Sequence, residues 1–322
     1  MIKFDTRKFL YLIIIAVLYI LGCLLLLFTL KEINKAEDKP RKFGTTYMTM
    51  NNPYFKVIDN SIKEVVESNG DILISRDPAQ DQEKQNNQIQ EMIDEGVSAI
   101  FLNPVDWKGV RPALIACKKA GIPVFNIDTY VYDEEYVTSI IASDNYLAGV
   151  QCAQDLMKKL PSADIVILDC PQMRSISQRV QGFKDTIATN GNYRVSYEES
   201  GGGELEVAMA VMNDIIKSGV SINVIMGGND PSALGALAAL QKNLRDEGVI
   251  IYGVDGSPDV KNMIKDGLIE GTSAQRPSEM GSIAAQMAYD YLSGKKIDKE
   301  VVVPVSLVTK ENLDKFDIDG WQ

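Results

Sequence analysis

The 322-residue chain contains no histidine. That absence removes Ser-His-Asp and Cys-His nucleophiles, His-ligated zinc and any imidazole base near neutral pH. Cysteine is scarce as well: four residues, none in a Cys-x-x-Cys pair that would hold a metal or cycle through a disulfide. Cys23 sits in an apolar run near the start, Cys117 and Cys152 fall on apolar stripes of predicted helices, and Cys170 ends a predicted strand. They read as small buried thiols without a disulfide framework, and no metal or cofactor is expected. Positive charge is also short, with 33 Lys and Arg against 44 Asp and Glu and a net charge of −11. A nucleic-acid partner would want a basic face, so that class is set aside. Carboxylate chemistry of the glycosidase kind survives these exclusions.

What is present begins with a hydrophobic run. Phe9 to Leu30 carries no charge over 22 residues, roughly 33 Å as a helix and enough to span a bilayer. It exceeds the apolar stretch of a cleaved signal, and no small-x-small cleavage site follows. The reading is an uncleaved signal anchor: a cytoplasmic tail at 1–8, a membrane helix at 9–30 and a charged tether at 31–41. Ile20-Leu21-Gly22-Cys23 loosely resembles a lipobox, so acylation of Cys23 is the alternative. Either way the domain that follows lies on the extracytoplasmic face of the cell membrane, although basic residues flank the run on both sides and the positive-inside rule does not orient it.

From Lys42 onward, short apolar β-type runs alternate with amphipathic stretches. The runs include ILIS at 72–75, SAIFL at 98–102, IPVFNI at 122–127, DIVILD at 164–169, INVIMG at 222–227 and GVIIYGV at 248–254. Strands that are apolar throughout and separated by helices mean parallel sheets covered on both faces. The length suits two such lobes. The fold class is α/β, two doubly wound parallel-sheet lobes. In such sheets ligands bind beyond the carboxyl ends of the strands. Four strand ends there run into a proline: Asn52-Pro53, Asp230-Pro231, Ser257-Pro258 and Arg276-Pro277. Proline at the first helical position with Asn, Asp or Ser before it is a capping pattern, which accounts for Asn52, Asp230 and Ser257. It leaves Asn229, Asp255 and Gln275 to project from the strand ends into a cleft.

The chain from about Phe43 to about Lys310 resembles the type I periplasmic binding proteins for sugars, most closely the ribose-binding members. The matching stretches are MNNPYF at 50–55, FLNPVD at 101–106, GIPVFNID at 121–128, IASDN at 141–145, RVQGF at 179–183, GGNDPSALGAL at 227–237, YGVDGSPD at 252–259 and SAQRPSEMG at 273–281. The resemblance implies a three-crossover hinge near Ser143, Gln275 and Ser306, with one lobe at 42–143 and 276–306 and the other at 144–275 and 307–322. It implies a ligand pocket of Asn52, Tyr54, Phe55 and Asp128 from the first lobe, and Arg179, Asn229, Asp255 and Gln275 from the second lobe and hinge. Planar bidentate side chains suit adjacent hydroxyls, and aromatic rings suit the C–H faces of a sugar. Two departures stand out. Thr129 occupies the place of the family's arginine, and Gly201-Gly202-Gly203 that of a second-lobe aromatic, a gap that Tyr130 or Tyr132 is positioned to fill. Trp107 reads as lobe packing and Trp321 as a tail contact.

The expected activity is non-enzymatic: a monomer binds a small sugar or polyol by lobe closure and delivers it to the permease subunits of an ABC-type importer. The alternatives are a sugar-sensing partner of a membrane histidine kinase or chemoreceptor, and a glycoside hydrolase using Asp128 and Asp255.

Overall fold

The computed structural model describes residues 14–27 and 40–322. It divides into two compact units, Met1–Arg41 and Lys42–Gln322. In the first, the described part is helix α1, residues 14–27, whose apolar side chains are exposed along its whole length. Among the described residues no helix is long and apolar enough to cross a membrane. The expected span, 9–30, takes in residues 9–13 and 28–30, and the expected tether takes in 31–39; these stretches, with the tail at 1–8, lie outside the described residues.

The second unit holds two six-stranded sheets. The first is built from β1 (Lys42–Thr46), β2 (Ile72–Arg76), β3 (Ala99–Leu102), β4 (Val124–Ile127), β5 (Ser139–Ser143) and β11 (Glu300–Val303), in the order β11-β5-β4-β3-β1-β2. The second uses β6 (Ala163–Asp169), β7 (Tyr193–Ser200), β8 (Val224–Gly227), β9 (Ile250–Asp255), β10 (Gly271–Ala274) and β12 (Ser306–Thr309), in the order β12-β10-β9-β8-β6-β7. All pairings are parallel except β10 with β12. The central strands β3, β4 and β8 are buried at every residue, which is why they read from sequence as unbroken apolar runs. Three strands escaped that reading. Edge strands β7 and β11 are half solvated and carry polar residues, and β12 is a four-residue edge strand, too short to show an alternation.

Helices α2 (Pro53–Ser68), α3 (Gln82–Asp94), α4 (Arg111–Ala120), α5 (Asn145–Lys159), α6 (Arg174–Ile187), α7 (Leu205–Lys217), α8 (Asp230–Lys242), α9 (Pro258–Asp266) and α10 (Pro277–Leu292) cover the sheets. Helix α2 shows the logic. Asn52 accepts the backbone N–H of Tyr54, Pro53 opens the first turn, and Tyr54, Phe55, Ile58, Ile62 and Val66 form the buried face. Each such side chain contributes about 1.5–3 kcal/mol by leaving water. Ser257 caps α9 in the same way, through Val260 N–H. Helix α8 departs from expectation: its cap is Asn229, whose side chain accepts the N–H of Ser232, while Asp230 is turned inward. Arg276 makes no cap bond to α10.

The chain passes between the sheets after Ser143, after Ala274 and after Val303. Ser306 pairs with Ala274 as the first residue of β12, so it belongs to the second sheet. Helices α5 and α6 pack with their backbones nearly touching. A Cβ on Gly149 would lie 1.8 Å from the carbonyl oxygen of Arg179, and one on Gly182 would lie 2.1 Å from that of Tyr146. Glycine is therefore the residue that lets α6 sit close enough to aim Arg179 inward.

Candidate ligand-binding site

In each sheet the strand order reverses beside the first strand, between β1 and β3 and between β6 and β8. The crevice beyond the carboxyl ends of strands at such a point is the natural ligand position in an open parallel sheet. A cavity of ≈ 530 Å³ lies between those strand ends. The first lobe lines it with Met48, Thr49, Asn51, Asn52 and Phe55; the second with Met173, Gly203, Asn229, Asp255 and Ser257.

Asp128 follows β4. Its backbone N–H reaches Ile141 of β5, and Asn126 braces the turn by donating to the carbonyls of Leu102 and Thr129 and accepting Val131 N–H. The turn puts Asp128 at φ 68°, a left-handed conformation uncommon outside glycine and a sign of local constraint. Its carboxylate accepts the hydroxyl of Tyr54 on Oδ1 at 3.0 Å and Nδ2 of Asn103 on Oδ2 at 3.0 Å. Asn103 itself follows β3 and is held by Gln85, which donates to its carbonyl.

Across the cleft, Asp255 ends β9 at φ 140°, a region that ordinary side chains avoid. Its Oδ1 accepts Nε2 of Gln275 at 2.8 Å and faces Nη1 of Arg179 at 3.4 Å. Arg179 is buried to 2% exposure on α6, with Nε on Asn145 Oδ1 and Nη1 on the carbonyl of Gly228. Asp230 accepts Thr272 Oγ1 and Ser257 N–H, tying β8, β10 and the start of α9 together. Asn229 caps α8 through Oδ1 and donates Nδ2 to the carbonyl of Gly203.

The electrostatics follow from one buried cation among three buried carboxylates. Burial raises Asp128 above the ordinary carboxylate range, against the pull of Arg179 and of the Tyr54 and Asn103 bonds. Burial pushes Asp255 up to about 8; Arg179 opposes the shift, and Asp230 and Asp128 add to it. Asp230 is raised by burial too, against its bonds from Thr272 and Ser257. Burial and the neighbouring Asp128 lift the Tyr54 phenol far above its usual range, so it stays a donor. Such a site is short of donors aimed at its carboxylates, and a ligand rich in hydroxyls would supply them.

Of the eight expected residues, Asn52, Phe55, Asn229 and Asp255 line the cavity. Tyr54, Asp128, Arg179 and Gln275 form a layer joined by hydrogen bonds, Tyr54 to Asp128 and both Arg179 and Gln275 to Asp255. Tyr130 and Tyr132 do not fill the expected gap. The Tyr130 hydroxyl turns to Glu300 on β11, and Tyr132 packs against Trp107 with 60% exposure. Thr129, in the arginine's place, accepts Ser175 N–H from α6 at 2.9 Å and so closes the seam between lobes. Trp107 spans the same seam, its backbone N–H donating to the Gln172 carbonyl and its ring under the Arg174 guanidinium. Trp321, read as a tail contact, packs against the core and also lines the cavity. Sequence reasoning also passed over Asn103, Asn145 and the inward role of Asp230. Asn103 and Asn145 follow β3 and β5, so the same strand-end rule that found Asp128 could have found them.

Among the described residues no cluster of His, Cys, Asp and Glu is placed to hold a metal ion. The model of the periplasmic binding protein domain matches residues 43–296. The ribose import binding protein of Bacillus subtilis (strain 168) is 29% identical over 283 residues, 87% of this chain and 91% of that protein. The D-apiose import binding protein of Paraburkholderia graminis is 30% identical over 274 residues, 83% of this chain and 86% of that one. Among solved structures, the binding component of the arabinose ABC transporter from Shewanella sp. ANA-3, bound to α- and β-L-arabinofuranose, superposes with TM-score 0.79. It is 27% identical and covers 85% of this chain and 93% of its own. With its two doubly wound lobes and the domain match over most of its length, this chain belongs to the periplasmic binding proteins, in the type I sugar-binding family.

Proposed function

We propose that the chain binds a neutral monosaccharide or cyclic polyol between its lobes and delivers it to an ABC-type importer. The observation that carries this reading is the convergence of Asn52, Phe55, Asn229 and Asp255 from two sheets on one cavity of ≈ 530 Å³. That volume lies within the ~300–1,000 Å³ of small-molecule sites. Asp255, which lines the cavity, can hydrogen-bond a sugar hydroxyl, and Phe55 can cover a C–H face. The cavity wall carries Glu204, Glu206, Asp255 and Asp259 and no Lys or Arg, which disfavours sugar acids and sugar phosphates. The named relatives are import binding proteins, which favours delivery over sensing.

The 22-residue uncharged run at 9–30 supports attachment to the cytoplasmic membrane with the binding unit outside, in single-pass form. Cell fractionation with protease shaving of intact cells tests that point; release of the full chain into the soluble fraction would refute it. A thermal-shift screen of free monosaccharides and polyols tests the binding. A ligand at ~100 Kd stabilises the native state by roughly 2.7 kcal/mol. Wild type should be shifted by at least one neutral sugar and by no sugar phosphate, and turnover of an aryl glycoside would instead make the protein an enzyme.

A further inference from the structure

We propose that Trp321, carried on the segment 316–322, is the second-lobe stacking surface of the site and sets its preference for ring-shaped over open-chain polyhydroxyl ligands. The inference rests on the sugar-binding reading and adds a residue and a ligand class to it. Three observations support it.

Trp321 lines the same cavity as Phe55, Asn229 and Asp255. Its ring meets Tyr54 edge-on at 5.6 Å between centroids, and Tyr54 meets Phe55 edge-on at 5.4 Å. Tyr54 therefore spaces the two cavity-lining aromatics, one from each side of the cleft, while its hydroxyl donates to Asp128. Trp321 is thus in contact with the group that backs the polar end of the site.

The segment is fastened to the second lobe. Lys261 of α9 is fully buried, and its ammonium donates to the carbonyls of Asp317 and Gly320. A buried ammonium is costly unless its donors stay paired, so those two carbonyls are held in place. Phe316 and Ile318 pack against the second-lobe core, and Gln322 Nε2 donates back to the Asp317 carbonyl at 3.1 Å. These bonds present the indole from a defined backbone.

Glycines occupy the place where the resemblance puts a second-lobe aromatic, and Gly202 and Gly203 hold the left-handed backbone that ordinary side chains rarely adopt. Gly203 lines the cavity at φ 70°, and a Cβ there would lie 3.3 Å from Met173 Sδ and 3.5 Å from Asn229 Nδ2. The cavity thus takes its second-lobe aromatic face from a different part of the chain. A rigid indole covers a flat C–H face at little entropic cost, and such a face exists on a pyranose, a furanose or a cyclitol but not on a flexible open-chain polyol.

Calorimetric titration with D-ribose, D-galactose, myo-inositol, ribitol and glycerol, against wild type, Trp321→Ala and Trp321→Phe, tests this. Wild type should bind at least one ring compound more tightly than ribitol or glycerol. Trp321→Ala should weaken that ring compound by about tenfold or more, and Trp321→Phe should restore most of the loss. In a Trp107→Phe background Trp321 is the single indole, and its emission should change when the ring compound is added. Unchanged affinity of Trp321→Ala, unchanged emission, or equal binding of ring and open-chain ligands would overturn the inference while leaving sugar binding intact. If wild type binds none of the three ring compounds, the stacking role falls together with the sugar reading it rests on.

Discussion

Replacing Asp255 with asparagine should flatten the pH dependence of stability of the unliganded protein. Asp255 is held protonated up to about 8 in the folded chain by burial and by the nearby Asp230 and Asp128, with Arg179 pulling the other way. In the unfolded chain an aspartate ionises near ~3.9. Between those values the folded state carries one more proton than the unfolded state, so raising the pH favours unfolding. The contribution is fully present below ~4 and is lost as the pH approaches about 8. One proton corresponds to a slope of about −1.4 kcal/mol per pH unit, or on the order of 4 kcal/mol between pH 5 and pH 8. The absence of histidine leaves this window free of the usual imidazole titration. Urea unfolding at pH 5, 6, 7 and 8 on wild type and Asp255→Asn gives the difference directly, since the other raised carboxylates remain in both. Wild type should lose stability across the series faster than the variant. Parallel curves would refute the reasoning and show that Asp255 is ionised in the native site at neutral pH. Sugar hydroxyls that donate to Asp255 favour its charged form, so binding at pH 6–7 should release a proton, seen as a dependence of the binding heat on buffer ionisation enthalpy.

Arg179→Met removes the cation but leaves Asp255, Asn145 and the Gly228 carbonyl buried around the site. Leaving those buried acceptors without their donor costs about 1–3 kcal/mol each, which should appear as a lower urea midpoint together with loss of ligand binding. Gly149→Ala puts a methyl 1.8 Å from the Arg179 carbonyl oxygen; separating α5 from α6 should cost about 1–3 kcal/mol or more and weaken binding by moving Arg179, both read from denaturation and calorimetry. Thr129→Arg, which places the family's arginine in a fully buried seam where Thr129 now accepts Ser175 N–H, should leave each lobe folded but hinder closure. Solution scattering should then show a larger radius of gyration with ligand than wild type, and an unchanged radius would count against Thr129 as a closure contact.

Much of the fold was legible because burial on both faces writes itself as unbroken apolar runs. DIVILD and GVIIYGV announced such buried strands and ILIS an apolar but half-exposed edge strand, whereas the polar edge strand β7 and the short β12 left no such mark. The site was legible where a polar residue ends a strand, as at Asp128, Asn229 and Asp255. Choosing between neighbours was harder. Asn229 and Asp230 are both good cap residues, and the choice went to Asn229 because Asp230 reaches Thr272 and Ser257, partners 42 and 27 residues away.

The sequence by itself determined the α/β class, the two parallel-sheet lobes and the chemical character of the cleft, acidic and without histidine, because strand burial and residue type are local properties. Only the tertiary structure decided which polar groups touch the cavity and which stand behind them, how far burial lifts the Asp255 carboxyl, and that Trp321 reaches the site. Those outcomes depend on distance between segments remote in the chain, and on the loss of water around them, neither of which has a period that a sequence can show.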